Sequence, residues 1–479
     1  MPELSSNIDN AIKELRRRLG KAKVIDDPAI AILYTREPSG IRGSHVKAVV
    51  FPEEEKDVSL ILKTAYKYNV PIYPQGSSTS LSGNSVPLEP GIVVSMERMN
   101  RVLEINIVDN YVVVEPGVRM EDLNAELAKY RYMFPVDPAS SSVATIGGAI
   151  NNGAGGLRGA KYGTMRDWLL AVRLGIADEE GSILNLGCYT VKCRSGYDLA
   201  RLIVGSEGTL GIVTRAVLRI TPLPEDTVYA LSFFDSLEDL MEAFIEIRRS
   251  RLNPFMLEFM DSATVDYASK SLDLPYEPKG NLFLVGIETS PESNQRILDT
   301  LTSLLESHGA HTIITAHGDK EAHDKKLFAV RKNLFTGQAR YTLEKEGSSG
   351  RIMVMIEDIV VPPSKVPEAV TLIRGLGEKY GFTVFIGGHI GDGNLHPAVG
   401  FNAEDEEERK RVEQWFHEVM EIALKLGGSI SAEHGIGLLK KQGLRMELEY
   451  KNSLKALQLM KEIKKAFDPK GLLNPGKVL

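Results

Sequence analysis

Three tracts rich in glycine and small polar residues interrupt the apolar segments in the first half of the chain. They read PQGSSTSLSG at 74–83, a run from Ser140 to Gly163 that contains TIGGAINNGAGG, and VGSEGTLGIV at 204–213. The first tract follows a predicted strand at 70–73. Because glycine lacks a Cβ, backbone N–H groups there can approach an anion, and hydroxyl groups add donors. One such tract fits a flexible surface turn or an anion-binding loop, and its recurrence favours the loop.

The order of predicted elements divides the 479 residues into parts. Pro222 and Pro224 predict a boundary. Beyond them the pattern follows a β-α-β-β-α-β order, which indicates an α+β domain with an antiparallel sheet. The predicted segments are strands at 47–51, 92–95, 102–107, 111–115, 227–233, 254–260, 282–288, 311–315, 352–361 and 382–386, and helices starting within PEEEKD at 52–57 and at 236–249, 292–306, 364–380 and 404–426.

Composition excludes several classes of function. A net charge of −7 argues against a nucleic-acid-binding surface. Two cysteines, Cys188 and Cys193, cannot supply an iron–sulfur cluster or a structural zinc site, and we expect a cytoplasmic setting. No stretch of eighteen apolar residues occurs, so we expect no transmembrane segment. Rossmann and P-loop fingerprints are also missing.

Four segments in order carry a resemblance to a known family: PQGSSTSLSG, VDPASSSVATIGGAINNGAGGLRGAKYG, SGYDLARLIVGSEGTLGI and FDPKGLLNPGKV. They resemble the FAD-linked oxidases of the vanillyl-alcohol oxidase/p-cresol methylhydroxylase superfamily. Within it the chain is similar to the group of the glycolate oxidase large subunit, D-lactate dehydrogenase and D-2-hydroxyglutarate dehydrogenase. The resemblance implies an α+β fold, with a two-part FAD-binding domain at 1–222 and 427–479 and an α+β substrate (cap) domain at 223–426.

The resemblance also implies the residues that bind FAD. The first tract would hold the pyrophosphate, residues of the second would line the flavin, and Ile212 would lie near the adenine. No histidine or cysteine lies in 74–83, so we expect non-covalent FAD. The predicted FAD-binding residues are Pro74, Gln75, Gly76, Ser77, Ser78, Thr79, Ser80, Gly83, Pro138, Ser140, Thr145, Gly148, Gly155, Gly205, Glu207, Gly208, Gly211, Ile212 and Asn474.

A histidine hairpin is predicted at GGHIGDGNLHP, residues 387–397. Asp392-Gly393 is a strong two-residue turn signal. Pairing outward from that turn places His389 directly opposite His396, with Cβ atoms about 4.5–5.5 Å apart. The two imidazoles could share a divalent ion or form a hydrogen-bonded core pair.

Glu433 and His434, in SISAEHGIG, follow a predicted strand and sit in a glycine-flanked turn. Glu433 would complete a set of two histidines and one carboxylate, which suits zinc or non-haem iron. The resemblance implies the same metal ligands, with zinc, iron or manganese as the ion, and His434 as the catalytic base. It also implies that Arg331 binds the substrate carboxylate. Without it, His434 could cap a helix and Arg331 could be solvated.

The expected activity is oxidation of a D-2-hydroxy acid, D-lactate or glycolate, to the 2-oxo acid. The metal would chelate the substrate, His434 would take the hydroxyl proton, and a hydride would pass to flavin N5. D-2-hydroxyglutarate is the runner-up. It is disfavoured because Ile356 and Glu357 stand where some relatives carry a lysine. Two other classes remain as alternatives: an electron-transfer flavin subunit of a larger complex, and a flavin-free zinc hydrolase.

The expected electron acceptor is a protein, an iron–sulfur subunit or an electron-transferring flavoprotein, or a quinone reached by docking at the membrane through a partner. The sequence leaves open the metal, the enantiomer, the acceptor, whether the chain forms a homodimer, and the role of the two cysteines.

Overall fold

A computed structural model of the chain describes residues 2–346 and 351–479. These residues form two compact units. The first unit takes the chain up to Gly156, then Gly163–Leu223 and Glu433–Leu479. The second unit consists of Leu157–Tyr162 and the described part of Pro224–Ala432. The first unit is therefore built from three separate stretches of the chain.

Two main sheets form the first unit. A mixed four-stranded sheet has the order Val24–Ile25, Ala48–Val50, Ile92–Ser95, Ile72–Gln75. An antiparallel five-stranded sheet has the order Val102–Asn106, Tyr111–Val114, Ile212–Arg219, Leu169–Gly175, Ile183–Gly187. A small pair joins Thr221–Pro222 to Tyr132–Met133.

The helix Glu55–Tyr68 shows how the sequence specifies an element of this unit. Acidic residues occupy its first turn, where they favour the positive end of the helix dipole. Val58, Ile61, Leu62 and Ala65 recur at helical spacing and are buried in the core. Asn69 ends the helix in the left-handed conformation, at φ 54°. The other helices are Pro2–Leu19, Pro28–Ala31, Met120–Ala128, Ile146–Asn152, Met165–Trp168, Leu199–Ile203, Lys441–Tyr450 and Leu454–Phe467, with 3₁₀ turns at Ile32–Thr35 and Met96–Arg98.

The second unit contains an antiparallel sheet. Its strand order is Thr312–His317, Asp226–Phe234, Asn281–Thr289, Met256–Met260, Val384–His389, Asn394–Asn402, Ile352–Ile356. The short strand Ile359–Val360 also pairs with Asn394–Asn402. The four strands and the helices Leu237–Arg249 and Asn294–Ser307 of the predicted β-α-β-β-α-β order are present, but a further helix, Ser262–Ser269, lies between the second and third strands.

The remaining helices of the second unit are Gly159–Tyr162, Ser262–Ser269, Gly318–Asp324, Ala329–Lys332, Leu334–Glu346, Val366–Tyr380 and Glu406–Lys425, with a 3₁₀ turn at Pro363–Lys365. Across 2–346 and 351–479, no helix is both long and apolar enough to span a bilayer.

Two predicted strands were wrong in extent. The strand predicted at 352–361 is split into Ile352–Ile356 and Ile359–Val360, because Glu357 and Asp358 between them turn fully buried carboxylates inward. The strand predicted before Glu433 is reduced to one isolated bridge between Val360 and Ser429.

Cys188 and Cys193, whose role the sequence left open, are joined by a disulfide with a Cα–Cα distance of 5.9 Å. The loop between them is exposed to solvent. Tyr189 in that loop packs edge-on against Tyr111, with ring centroids 5.3 Å apart.

Candidate functional sites

The first unit holds a cavity between the three glycine-rich tracts. The strand Ile72–Gln75 ends in the first tract, and the helix Ile146–Asn152 belongs to the second. Although the tracts are far apart in the sequence, they share one cavity. The predicted FAD-binding residues that line it are Pro74, Gln75, Gly76, Ser77, Ser78, Thr79, Ser80, Pro138, Ser140, Thr145, Gly148, Glu207, Gly208 and Ile212, and Glu433 and His434 line it as well.

Five other predicted FAD-binding residues are not among the lining residues, and one of them supports the loops through its side chain. That residue is Asn474, whose side-chain amide donates to the carbonyls of Asn84 (2.9 Å) and Glu207 (2.6 Å). It therefore ties the C-terminal segment to the first and third tracts. The five residues are Gly83, Gly155, Gly205, Gly211 and Asn474.

The cavity wall suits a diphosphate held by neutral donors. A Cβ at Gly76 would collide with the hydroxyl of Thr145, so glycine allows the first and second tracts to meet. Ser78 has a positive φ of 53°, which turns the backbone within the first tract. Among the described lining residues none is Lys or Arg. Backbone N–H groups, hydroxyls and side-chain amides are therefore the donors available to an anionic group in this cavity.

Glu37 holds the first tract in place, although no motif marked it in the sequence. Its side chain is nearly buried, at 8% exposed. The carboxylate accepts hydrogen bonds from the Ser80 hydroxyl (2.6 Å), from the Ser85 hydroxyl (2.7 Å) and N–H (3.1 Å), and from the Gly83 N–H. One carboxylate thus fixes the far end of the loop, because an ionised acceptor forms strong hydrogen bonds.

Glu207, in the third tract, anchors the segment that follows His434. Its carboxylate accepts hydrogen bonds from the N–H groups of Ile436 (2.7 Å) and Gly437 (2.9 Å). Burial raises the pKa of Glu207 to about 7. Burial also lowers the pKa of Lys477, whose charge acts on Glu207, to about 8. The anchor therefore titrates near neutral pH.

The backbone at Glu433 and His434 is bonded to the cavity loops. The side-chain amide of Asn152 donates to the Glu433 carbonyl (2.6 Å), and that of Asn84 donates to the His434 carbonyl (3.2 Å). A Cβ at Gly155 would lie 2.9 Å from Oε2 of Glu433. The absence of a side chain at Gly155, which is predicted to line the flavin, therefore makes room for this carboxylate.

In the second unit His389 and His396 come together, but the predicted strand register was wrong by two residues. His396 lies opposite Gly387, not opposite His389. The hairpin loop is a four-residue turn over 390–393, in which the Asp392 N–H donates to the His389 carbonyl (3.3 Å). Because side chains alternate with period two, a shift of two residues keeps both rings on one face. Their centroids are 5.3 Å apart, and the rings are 5% (His389) and 7% (His396) exposed.

A fully buried carboxylate lies beside each of these histidines. Oε1 of Glu258 is 2.6 Å from Nδ1 of His389, and Oδ1 of Asp358 is 3.8 Å from Nδ1 of His396. The second oxygen of Asp358 accepts from the Ser431 hydroxyl and the Ala432 N–H, both at 2.9 Å. Two imidazoles backed by carboxylates suit a divalent ion, whose histidine ligands usually bond a carboxylate through their other nitrogen.

Arg331 is not a solvated surface arginine. It lies on the short helix Ala329–Lys332 with 15% of its side chain exposed, and its Nε–H donates to Oε2 of Glu258 (2.7 Å). Burial raises the pKa of Glu258, but the charges of His389 and Arg331 outweigh burial and hold that pKa below its usual value. The Glu258 carboxylate therefore lies between two partners that can donate hydrogen bonds to it.

Comparison with known proteins decides the family. The domain described as "FAD linked oxidases, C-terminal domain" matches residues 223–478, and the "FAD binding domain" matches residues 46–187. The chain belongs to the FAD-linked oxidases. These matches confirm the predicted membership of the FAD-linked oxidases, and the sheets and helices described above confirm the predicted α+β fold.

Named relatives of this FAD-linked oxidase cover almost its whole length. It is 34% identical to glycolate oxidase subunit GlcD of Bacillus subtilis, over 95% of this chain and 93% of the relative. It is also 34% identical to D-lactate dehydrogenase of Archaeoglobus fulgidus, over 96% of this chain and 98% of the relative. The solved structure of p-cresol methylhydroxylase with substrate bound has the same fold, with a TM-score of 0.77 at 16% identity over 99% of this chain and 97% of that chain. This FAD-linked oxidase is an FAD-dependent oxidoreductase.

Sequence reasoning missed three residues of these sites: Glu37, Glu258 and Asp358. None lies in a recognisable motif, and each is separated by dozens of residues from the groups it bonds. A buried carboxylate can be identified from a sequence only when its partners are known. Glu258, for instance, is the single polar residue in the apolar run MLEFM, and the run itself gives no sign of its partners.

Proposed function

We propose that this FAD-linked oxidase oxidises a D-2-hydroxy acid, D-lactate or glycolate, to the 2-oxo acid with one divalent metal ion. The observation that carries the proposal is the buried pair His389 and His396, which the flavin cavity does not require for its own structure. The names of the two relatives, a glycolate oxidase subunit and a D-lactate dehydrogenase, support the substrate class.

The first unit would hold FAD without a covalent bond. The first tract, 74–83, contains no histidine or cysteine that could attach to the flavin. Its N–H and hydroxyl groups would bind the pyrophosphate, and Pro138, Ser140 and Thr145 would contact the ring system. When bound, FAD supplies the two-electron acceptor of the reaction. Acid treatment should release the flavin into the supernatant, whereas a yellow pellet would contradict non-covalent binding.

The ligands of the metal ion would be His389, His396 and Glu433. Such a set of two histidines and one carboxylate leaves coordination positions for a chelating hydroxy acid. The ion supplies a Lewis acid that makes the substrate hydroxyl more acidic. Chain continuity supports Glu433 as the third ligand, because the preceding residue, Ala432, bonds to Asp358 beside His396.

Two further side chains would act on the substrate. The imidazole of His434 would accept the hydroxyl proton through a ring nitrogen, as a general base. Arg331 would hold the carboxylate through its guanidinium, whose planar fork suits a carboxylate. Its partial burial makes that contact stronger than on an open surface.

Anaerobic bleaching of the flavin tests the proposal. Each member of a panel of 2-hydroxy acids of both hands is mixed with the oxidised protein, and the flavin absorbance is followed. D-lactate or glycolate should bleach the flavin fastest, and L-lactate should be slower by orders of magnitude. Faster bleaching by D-2-hydroxyglutarate would move the assignment to that substrate, and no bleaching by any hydroxy acid would overturn the proposed function.

The natural acceptor would be a protein. The name of GlcD as a subunit supports an assembly with partner chains. An iron–sulfur subunit or an electron-transferring flavoprotein would take electrons from the reduced enzyme, because the two cysteines of this chain cannot bind a cluster of their own.

A further inference from the structure

Glu258 lies at the centre of a buried cluster in the second unit. It belongs to the strand Met256–Met260, its exposure is zero, and the antiparallel register places it directly opposite His389. Each carboxylate oxygen has its own partner: Oε1 meets His389 Nδ1 at 2.6 Å, and Oε2 meets Arg331 Nε at 2.7 Å. A charge removed from water this completely is stable only with such partners.

The first contact selects the tautomer of His389. Nδ1 lies 2.6 Å from one oxygen of the Glu258 carboxylate, whose other oxygen accepts from Arg331, so this geometry makes Nδ1–H the donor to Glu258. In the neutral ring the lone pair then resides on Nε2, which becomes the nitrogen able to bind a metal ion. Glu258 thereby also fixes the plane of the imidazole.

The second contact orients Arg331. The hydrogen bond to Glu258 uses Nε–H, and among the residues that the structure describes the two terminal nitrogens, Nη1 and Nη2, make no hydrogen bond. Those nitrogens form the outer edge of the guanidinium, and their parallel N–H groups match the two oxygens of a carboxylate. One carboxylate thus sets the direction in which this edge points.

We propose that Glu258 is the positioning residue that holds both His389 for the metal ion and Arg331 for the substrate carboxylate. This inference rests on the proposed function, because it takes His389 as a metal ligand and Arg331 as a substrate-binding residue. Metal affinity and substrate affinity are therefore coupled through one side chain that contacts neither ligand.

Substitution of Glu258 by glutamine tests the coupling with little change in shape. A glutamine side chain has one oxygen and one NH₂ group, so it can accept from His389 or from Arg331 but not from both. Glu288→Gln is the matched control, since Glu288 is another carboxylate in the same sheet, with 8% of its side chain exposed, bonded to Tyr162 and Lys161 and not to His389 or Arg331. Both variants are prepared with FAD and stripped of metal.

The first readout is affinity for Mn²⁺ and Zn²⁺, measured by titration against a chromophoric chelator. Glu258→Gln should weaken binding about 10–100-fold, the usual effect of losing such a carboxylate, while Glu288→Gln should match the wild type. Dye-linked kinetics after metal is restored should show a raised KM for D-lactate in Glu258→Gln. Glu258→Asp keeps the carboxylate but on a side chain shorter by one methylene. Its metal affinity and its KM should lie between those of the wild type and those of Glu258→Gln.

A third readout uses the wild-type protein and so does not depend on the folding of a variant. Nitrogen chemical shifts of ¹⁵N-labelled histidine in the metal-free wild type should show His389 protonated on Nδ1, and protonation on Nε2 alone would overturn the inference. Wild-type affinity in Glu258→Gln with an unchanged KM would overturn it as well. If His389→Ala binds both ions as tightly as the wild type, the metal site of the proposed function fails instead, so the two failures are distinguishable.

Discussion

At the scale of single residues, Glu433 and His434 are neighbours with different proposed tasks. In the proposed mechanism His434 is a base and not a ligand, so His434→Ala should keep its metal ion but reduce flavin bleaching by D-lactate by about two to four orders of magnitude. His389→Ala should lose metal and bleaching together. Metal analysis and stopped-flow absorbance measure the two effects, and equal loss of metal in both variants would make His434 a ligand.

Glu207 should make the stability of the protein depend on pH. Its pKa in the folded protein is about 7, against an ordinary value of 4.5, so the folded state binds the proton more tightly than the unfolded state. The resulting stabilisation is complete below about pH 4.5 and is lost as the pH rises through 7, a change of about 3 kcal/mol.

Thermal melting between pH 5 and pH 8 measures this dependence as a difference between two proteins. The melting temperature of the wild type should fall more steeply with rising pH than that of Glu207→Gln, which has no proton to lose. Parallel curves would show that Glu207 does not titrate in this range.

At the scale of elements, the turn at 390–393 should tolerate no side chain at Gly393. Its φ is +91°, and a Cβ there would strike the carbonyl of Val361. Gly393→Ala should therefore destabilise the protein by about 2 kcal/mol or more and weaken metal binding, since the turn sets the spacing of the two histidines. Calorimetry and metal titration measure these effects.

Gly375→Ala is the matched control for that substitution. Gly375 lies inside the helix Val366–Tyr380, and a Cβ there meets nothing within 4 Å. Alanine should stabilise this helix by about 0.5–1 kcal/mol, so the two glycine-to-alanine changes have opposite signs. A stable Gly393→Ala with normal metal affinity would contradict the importance of the turn.

The elements themselves were largely predictable, and their exact pairing was not. Helices such as Leu237–Arg249 follow from apolar residues at helical spacing, which is a local property. The hairpin register depended on the loop, where Asp392-Gly393 indicated a two-residue turn and the chain makes a four-residue turn. The two histidines still lie on one face of the sheet, because the register was wrong by an even number of residues and side chains alternate with period two. Contacts such as Glu258 to His389 span 131 residues and depend on tertiary structure alone.

At the scale of the whole molecule, the reduced enzyme needs an acceptor from outside the chain. No Rossmann fingerprint for NAD occurs in the sequence. We therefore expect slow turnover with oxygen or NAD and fast turnover with an artificial dye, in steady-state assays on D-lactate. Oxygen consumption as fast as dye reduction would show that the chain works as an oxidase by itself.

The three-part first unit also constrains the order in which the protein can fold during synthesis. The N–H of Ile72 bonds to the carbonyl of Leu472, and Asn474 bonds to the carbonyl of Asn84, 390 residues away. A ribosome must therefore make all of the second unit before the strand Ile72–Gln75 receives its last partner. Until then the cavity loops of the nascent chain lack these hydrogen bonds, so we expect FAD to bind late. We also expect chaperones to matter most during synthesis of the second unit, while the core of the first unit is incomplete.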